Sequence, residues 1–547
     1  MAYFPGTPDN DIYTGGVGND EIKGLGGDDI LISDAGQDTL FGGDGHDWID
    51  GGAGDDIMGG SSGNDTFVVD SAGDTIIEWT NQGTDTVRAS ISFSLAGRQI
   101  ELLTLTGASH INATGNGFNN VLIGNSGNNV LDGGVGADML QGGLGDDIYY
   151  VDHAGDNVVE AHFEGSDTVI SSITYALFGR AVENLILTGA GHINATGNSL
   201  ANILTGNSGK NVLDGQQGID TMSGGPGDDT YYVNSTSDVV VEANGQGYDR
   251  VFSSATFSLA GQFAEVLVLT GAGNTDATGN SSKNLLIGNN GNNELDGSSG
   301  DDTLEGGAGD DTYYLGLDKN DVVIEAIGGG NDTIHTGARS FTLVGLQVEN
   351  LRMRGDSREG FGNDLDNRIT GNGYNNLLYG GAGNDTLDGG AAHDVMTGGT
   401  GDDVYYVGSL YDVVNEDADG GIDWVMGGNS QPLFANVENL TLLNANNVNA
   451  TGNGLDNRLE GNTGNNSLTG GGGADLFVFL LDSGTDRIND MNGAEGDRID
   501  ISAYTGGVAA PALVTQSGAN VLIDLGDGNT VLILTDTVDN VTPYIIW

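Results

Sequence analysis

One apolar residue returns every nine positions near the start of the chain. Six of these residues follow one another with no slip in spacing: Ile22, Leu31, Leu40, Ile49, Met58 and Phe67. The positions between them are mostly glycine, aspartate and other small or polar residues. No convincing helical periodicity is present along the chain. The pattern instead predicts short strands, each with one inward side chain, separated by turns.

An aspartate stands two residues before each of these apolar residues. Glycines fill most of the loop before it, as in Gly42-Gly43-Asp44-Gly45-His46-Asp47, and glycine permits the positive φ angles that tight turns require. Two such units make one coil of about eighteen residues, and stacked coils bury a thin apolar ladder between two parallel sheets.

This block resembles the glycine- and aspartate-rich nonapeptide repeats of RTX proteins. The resemblance implies a parallel β-roll that binds Ca²⁺ between stacked turns. It rests on seven copies in one register, whose aspartates are Asp11, Asp20, Asp29, Asp38, Asp47, Asp56 and Asp65.

The sequence also has a second repeat period, which is longer than nine residues. Asp65, Asp147, Asp229 and Asp311 are each 82 residues apart, and the last three begin a shared Asp-x-Tyr-Tyr phrase. The next intervals are 92 residues, to Asp403, and 72, to Asp475. We therefore predict an all-β fold: a parallel β-roll or β-helix solenoid of nonapeptide turns and five super-repeats of about 82 residues.

These periods predict seven sections. They are an N-terminal calcium roll (1–70), super-repeats at 71–147, 148–229, 230–311, 312–403 and 404–475, and a C-terminal β cap or secretion region (476–547).

The loop-end position changes from asparagine to aspartate within each super-repeat. Asn120 and Asn129, for example, precede Asp138 and Asp147. An amide offers only a neutral carbonyl oxygen, so we interpret the asparagines as stacked hydrogen-bond ladders. Metal is expected only where aspartate takes over.

Calcium prefers six to eight oxygen ligands, which carboxylates and turn carbonyls supply. The absence of cysteine and the scattered histidines disfavour zinc. The predicted Ca²⁺ ligands are the seven aspartates given above together with Asp138, Asp147, Asp220, Asp229, Asp302, Asp311, Asp385, Asp394, Asp403 and Asp475. Two further series recur, Glu78, Glu160, Glu242, Glu325 and Glu416, and Glu101, Glu183, Glu265, Glu349 and Glu438. For these we expect structural or accessory-calcium roles.

The amino-acid composition excludes some classes of binding partner. The 78 acidic and 16 basic side chains give a formal net charge of −62, which repels nucleic acid and anionic lipid. No apolar run is long enough for a membrane span. Periodic apolar positions argue against disorder, so cations are expected to belong to the folded state.

The first residues lack the basic region and apolar run of a cleaved signal peptide. The stretch Glu495-Gly496-Asp497-Arg498-Ile499 resembles the region after the roll in secreted RTX enzymes, where the C-terminal region addresses the protein to type I secretion. We therefore expect a bacterial protein, secreted without a cleaved N-terminal signal, that is extracellular or on the cell surface.

The repeat register is already established at Asp11, so we expect no catalytic domain, no catalytic residues and no organic cofactor. The leading hypothesis is a secreted, calcium-dependent structural protein that self-assembles, head-to-tail or laterally, into an extracellular fibre or surface layer. The alternative is a cell-surface adhesin or polysaccharide-binding module.

Overall fold

In a computed structural model, the chain is described over residues 2–80, 82–316 and 320–547. Position 1 of the predicted N-terminal roll, position 81 of the first super-repeat and positions 317–319 of the fourth lie outside the described residues. The chain divides into two compact units, Met1–Thr270 and Gly271–Trp547, called here the N-terminal and C-terminal units. Their boundary falls inside the predicted super-repeat 230–311.

Almost all regular structure in the N-terminal unit consists of short strands. In chain order they are Tyr3–Pro5, Ile12–Thr14, Glu21–Gly26, Ile30–Ile32, Ala35–Gly36, Thr39–Asp44, Trp48–Asp50, Ala53–Gly54, Ile57–Ser62, Thr66–Val69, Thr75–Ile77, Thr86–Ala89, Phe93–Ser94, Leu102–Leu105, Ala113–Asn116, Val121–Ile123, Val130–Gly134, Met139–Gln141, Ile148–Val151, Asn157–Val159, Thr168–Ser171, Tyr175–Ala176, Asn184–Leu187, Ala195–Thr196, Ile203–Thr205, Val212–Asp214, Thr221–Ser223, Thr230–Val233, Val239–Val240, Arg250–Ser253, Phe257–Ser258 and Val266–Leu269.

The C-terminal unit continues with strands of the same kind. They are Ala277–Thr278, Leu285–Ile287, Glu294–Asp296, Thr303–Glu305, Thr312–Leu315, Val322–Ile324, Thr333–Thr336, Ser340–Thr342, Asn350–Met353, Glu359–Phe361, Arg368–Asn372, Leu377–Ala382, Thr386–Gly390, Val395–Thr400, Val404–Val407, Val413–Asn415, Trp424–Gly427, Gln431–Pro432, Asn439–Leu442, Asn449–Thr451, Arg458–Glu460, Ser467–Thr469, Leu476–Val478, Thr485–Ile488, Arg498–Asp500, Val514–Ser517, Asn520–Gly526, Asn529–Ile533 and Ile545–Ile546. Its helical segments are the α-helices Ser502–Thr505 and Val538–Val541 and the 3₁₀ turns Pro511–Leu513 and Thr542–Tyr544.

Strands pair in parallel with the strand one coil later. Ile12 faces Ile30, and Ile30 faces Trp48, so the register advances by eighteen residues from one of these coils to the next. On the other side of the coil, Ile22 faces Leu40 in the same register. The predicted parallel solenoid of two-unit coils is confirmed within each unit.

The core is the predicted apolar ladder. Its first six members, from Ile22 to Phe67, are fully buried. In the Tyr-Tyr phrases, the first ring lies on the ladder and the second lies outside: Tyr149 is fully buried, whereas Tyr150 is 43% exposed. The alternation of side chains along a strand produces this difference.

The two sides of a coil differ in strand length. Ile30–Ile32 and Trp48–Asp50 have the predicted three residues, but Glu21–Gly26 and Thr39–Asp44 have six and extend into the glycine turn. The added pairing in the turn, for example Leu25 with Gly43, brings the backbones of successive turns into register.

The C-terminal region departs from the coil pattern. Val514–Ser517, Asn520–Gly526 and Asn529–Ile533 form an antiparallel meander, and Asn529–Ile533 also pairs in parallel with Thr485–Ile488. Asn520–Gly526 has seven residues and Asn529–Ile533 has five, more than the three residues of many coil strands. Among the described residues, no helix has the length and apolar character needed to cross a membrane.

Candidate metal sites in the turns

All seventeen predicted aspartates occupy one structural position. Each is the last residue of its turn and directly precedes a strand, as Asp47 precedes Trp48–Asp50 and Asp229 precedes Thr230–Val233. Because the strands are in register, equivalent aspartates of successive coils lie one above the next. The turns therefore carry columns of carboxylates.

Within a column, one carboxylate oxygen holds the coils together. The backbone N–H of Asp29 donates to Oδ1 of Asp47 at 2.9 Å, and the N–H of Asp47 donates to Oδ1 of Asp65 at 2.8 Å. The same bond recurs where an asparagine precedes an aspartate, as from Asn129 to Asp147 at 2.6 Å. This bond fixes which way the carboxylate faces.

The other oxygen of most of these carboxylates has no hydrogen-bond partner although it is buried. This holds for Oδ2 of Asp29, Asp38, Asp47, Asp56, Asp65, Asp138, Asp147, Asp220, Asp229, Asp311, Asp385, Asp394 and Asp403. Such oxygens are costly unless a cation or a donor satisfies them.

The column that contains Asp56 shows how the fold satisfies such an oxygen without metal. Asp74 lies one coil after Asp56, and its Oδ1 accepts the N–H of Asp56. Its Oδ2, however, accepts the backbone N–H groups of Asp70 and Ser71, both at 3.2 Å. In the turns that end in the thirteen aspartates named above, no such donor reaches Oδ2, which leaves room for a cation.

Backbone carbonyl oxygens face the same space. A Cβ atom built on Gly24 would lie 2.0 Å from Oδ2 of Asp29 and 2.4 Å from the carbonyl oxygen of Gly42, one coil later. A Cβ on Gly45, whose φ is +140°, would lie 2.0 Å from the carbonyl oxygen of Gly27. The glycines thus keep open a space lined by carboxylate and carbonyl oxygens, the donor set that Ca²⁺ prefers.

The electrostatics of the turns also favour a cation. Burial, together with the nearby carboxylates of Asp47 and Asp85, raises the pKa of Asp65 to about 7. Burial likewise raises the pKa of Asp385 to about 8, with a contribution from Asp403. These carboxylates are poorly stabilised as anions by the protein alone, and a bound Ca²⁺ would supply the missing positive charge.

The remaining four predicted aspartates have different partners. Oδ2 of Asp11 accepts the N–H of Thr7, and Oδ2 of Asp20 accepts the N–H of Gly16. Asp302 and Asp475 are buried and accept the N–H groups of Asn284 and Asn457.

The asparagines at the equivalent position complete their own hydrogen bonds. Oδ1 of Asn120 accepts the N–H of Asn116 at 2.8 Å, and its Nδ2 donates to the carbonyl oxygen of Ile100, one coil earlier, at 3.0 Å. Nδ2 of Asn129 donates in the same way to Ile111. The predicted asparagine ladder is confirmed: in these turns an amide N–H₂ bridges the coils.

Five aspartates that sequence reasoning did not single out extend the columns: Asp85, Asp167, Asp249, Asp332 and Asp423. Oδ1 of Asp167 accepts the N–H of Asp147 at 2.9 Å, and its Oδ2 is buried without a partner. Asp85, Asp167 and Asp249 recur every 82 residues, so the 82-residue period could have identified these aspartates from the sequence. The Glu78 series lies beside them, and four such Asp–Glu–Asp groups bring three carboxylates within 4.8 Å of one another.

The fold and these turns define a parallel β-solenoid whose columns of carboxylates and carbonyls are suited to calcium. The chain belongs to the RTX calcium-binding nonapeptide repeat family, whose model matches residues 5–40, 32–67, 114–149, 196–240, 278–322, 361–396, 384–414 and 451–488, just over half of the chain. RTX repeats bind calcium, so Ca²⁺ is the metal of this protein.

Comparisons with curated proteins and with solved structures give no further information about function. A search of curated proteins found no match. Among solved structures, the extracellular lipase LipA from Serratia marcescens is 14% identical, with 55% of this chain and 45% of the lipase chain covered, at a TM-score of 0.14. The chain thus spans less than half of the lipase, and a likeness at this level carries no argument about activity.

Proposed function

We propose that this is a secreted structural protein that folds on binding Ca²⁺ outside the cell and then assembles into a fibre or surface layer. The observation that carries the proposal is the repeated buried Oδ2 without a donor, which makes folding depend on calcium at many turns along the chain. A calcium-poor cytoplasm would keep the chain unfolded because the carboxylates repel one another and burial opposes their charge. Export in the unfolded state through type I secretion machinery fits this dependence.

Assembly is supported by two strands of the first coil that each have, in the described part of the chain, one edge without a partner strand. Among the residues that the structure describes, Tyr3–Pro5 and Ile12–Thr14 each pair on one side only, with Glu21–Gly26 and Ile30–Ile32 respectively. Ile12 is 74% exposed at this edge. An exposed apolar edge strand is a template for strand addition by a second molecule, so the proposed partner is another copy of this chain.

The C-terminal tail pairs within its own chain. Ile499 faces Ile545, and Asp500 faces Ile546, in a parallel pair. Ile545 is buried, so deletion of the tail would also remove core. Substitutions at the exposed first coil therefore test assembly more cleanly.

Electron microscopy of the full chain with millimolar Ca²⁺ and with chelator tests the proposal. We expect fibres or sheets in calcium, and far fewer for the variant Ile12→Lys, because a charge on an edge strand opposes pairing. The matched control is Val135→Lys, since Val135 is 72% exposed in a turn away from this edge. A folded, calcium-loaded protein that stays monomeric at all concentrations would contradict assembly.

A cavity of about 450 Å³ favours the alternative of polysaccharide binding. Its lining includes His162, Phe178, Arg180 and Asn198, and Phe178 is 56% exposed. An exposed ring beside polar groups is suited to a sugar face. Glycan-array binding by a monomer, lost in Phe178→Ala and kept in Phe163→Ala, would support this function over assembly.

A further inference from the structure

The Asp–Glu–Asp groups differ from the nonapeptide turns in how they are built. In the fifth super-repeat, Asp403 and Asp423 precede paired strands, and the N–H of Asp403 donates to Oδ1 of Asp423 at 2.9 Å. Glu416, directly after the strand Val413–Asn415, places a third carboxylate beside them. The loop before Asp423 lacks the nonapeptide sequence, so Glu416 occupies a role that glycine carbonyls fill elsewhere.

This group contains several buried oxygens without a hydrogen-bond partner. They are Oδ2 of Asp403, Oδ2 of Asp423, both carboxylate oxygens of Glu416 and the hydroxyl of Tyr405. Asp403, Tyr405 and Asp423 are at most 1% exposed. Two oxygens bound to one Ca²⁺ lie at most about 5 Å apart, and one oxygen from each of the three carboxylates lies within 4.8 Å of the others.

The charge of the group also requires a counter-ion. Three carboxylates this close cannot all be anionic without a cation between them.

The same group recurs in three other super-repeats, as Asp147–Glu160–Asp167, Asp229–Glu242–Asp249 and Asp311–Glu325–Asp332. In each of these a buried tyrosine hydroxyl, from Tyr149, Tyr231 or Tyr313, donates to the glutamate. In the first block Phe67 takes the place of the tyrosine, and Glu78 instead accepts the N–H groups of Gly60 and Ser61. The tyrosine is therefore a feature of the four groups and not of the apolar ladder as a whole.

We propose that each Asp–Glu–Asp group binds one divalent cation, Ca²⁺ by its all-oxygen donor set, at a second class of site that extends the calcium column one coil beyond the last nonapeptide turn. The site combines the last nonapeptide aspartate, the aspartate of the following coil and a glutamate, next to a buried tyrosine. It goes beyond the nonapeptide motif and does not depend on whether the chain assembles.

Anomalous diffraction from crystals of the full chain grown with Tb³⁺ as the probe tests the location directly. We expect a peak inside each of the four groups in addition to peaks at the nonapeptide turns. Peaks at the turns with none between Asp403, Glu416 and Asp423 would overturn the proposal.

A substitution separates metal binding from a structural role of the glutamate. Glu416→Gln keeps the shape of the side chain, and native mass spectrometry in Ca²⁺ should show one ion fewer per molecule. Asp417→Asn, an exposed neighbour outside the group, is the matched control and should keep all ions. Glu160→Gln repeats the trial in the N-terminal unit in case Glu416→Gln fails to fold. An unchanged ion count in both folded glutamate variants would contradict the assignment.

Discussion

The backbone N–H of Asp47 donates to Oδ1 of Asp65, one coil later, at 2.8 Å, while Oδ2 of Asp65 is buried without a donor. One carboxylate thus has two tasks: its first oxygen sets the stacking of the coils, and its second is available to calcium. Because the arrangement repeats along the columns, we expect folding and calcium binding to be coupled at these turns.

Replacement of a turn aspartate by asparagine should separate these two tasks. In Asp47→Asn, the side-chain amide can make the bonds of the native asparagine turns, where Oδ1 of Asn129 accepts the N–H of Asn125 and Nδ2 donates to the carbonyl oxygen of Ile111, one coil earlier. The site loses its charge, so we expect a loss of about 1.4 kcal/mol in calcium at ten times Kd. At the lowest calcium concentration that still folds the chain, the loss should shrink or change sign, because the variant no longer buries an unpaired carboxylate when the site is empty.

Thermal unfolding of Asp47→Asn in saturating calcium and at that lowest concentration measures this difference. Asp34→Asn, at an exposed position, removes the same charge away from the column and should change neither value by more than about 0.5 kcal/mol. Equal destabilisation of Asp47→Asn under both conditions would show that the carboxylate acts through packing alone.

The glycines of the turns should be sensitive to any side chain that points at a carbonyl. A Cβ on Gly63, whose φ is +131°, would lie 1.6 Å from the carbonyl oxygen of Gly45. Gly97 also has a positive φ, +79°, but a Cβ there meets nothing within 4 Å. We expect Gly97→Ala to cost about 1–2 kcal/mol and Gly63→Ala about 2–5 kcal/mol.

Denaturation midpoints of the two alanine variants in calcium check this difference. If both lose the same stability, the close approach of successive turns is not a determinant of the fold.

Buried His335 should make part of the stability depend on pH. Burial, together with the nearby positive charges of Arg354 and Arg352, lowers the pKa of His335 to about 4. Below pH 6.5 the unfolded chain therefore binds a proton that the folded chain does not, so stability falls as the pH falls from 6.5 to 4. The expected contribution is a loss of about 1–2 kcal/mol at pH 5.

The variant His335→Phe isolates this contribution. The His335 ring lies 4.9 Å from that of Tyr314, and Phe252 stacks on Tyr232 at the equivalent place one super-repeat earlier. We expect the variant to fold and to lose less stability than the native chain between pH 7 and pH 5, both in saturating calcium. The same pH dependence in both proteins would exclude His335 as its source.

The sequence was sufficient to predict the nonapeptide part of the fold because its spacing is invariant. A nine-residue step places Ile22 and Leu40 in register without any knowledge of contacts, and the asparagine ladder followed from the chemistry of the amide. The Asp–Glu–Asp groups were harder to predict from the sequence because their loops break the nine-residue spacing. Asp167 lies 20 residues after Asp147, and Asp332 lies 21 residues after Asp311.

The C-terminal cap could not be predicted in detail for a related reason. Ile545 pairs with Ile499 across 46 residues, and no repeat period specifies that distance. Tertiary packing of the meander decides this pairing, and a repeat pattern carries no information about it.

The most direct measurement is the far-ultraviolet circular dichroism of the full chain at neutral pH, titrated with Ca²⁺ from a chelated solution. We expect an unfolded spectrum in chelator and a cooperative change to a β spectrum as calcium is added, and we expect chelator to reverse the change. A β spectrum of the same amplitude and thermal midpoint in chelator and in calcium would contradict the claim that calcium belongs to the folded state.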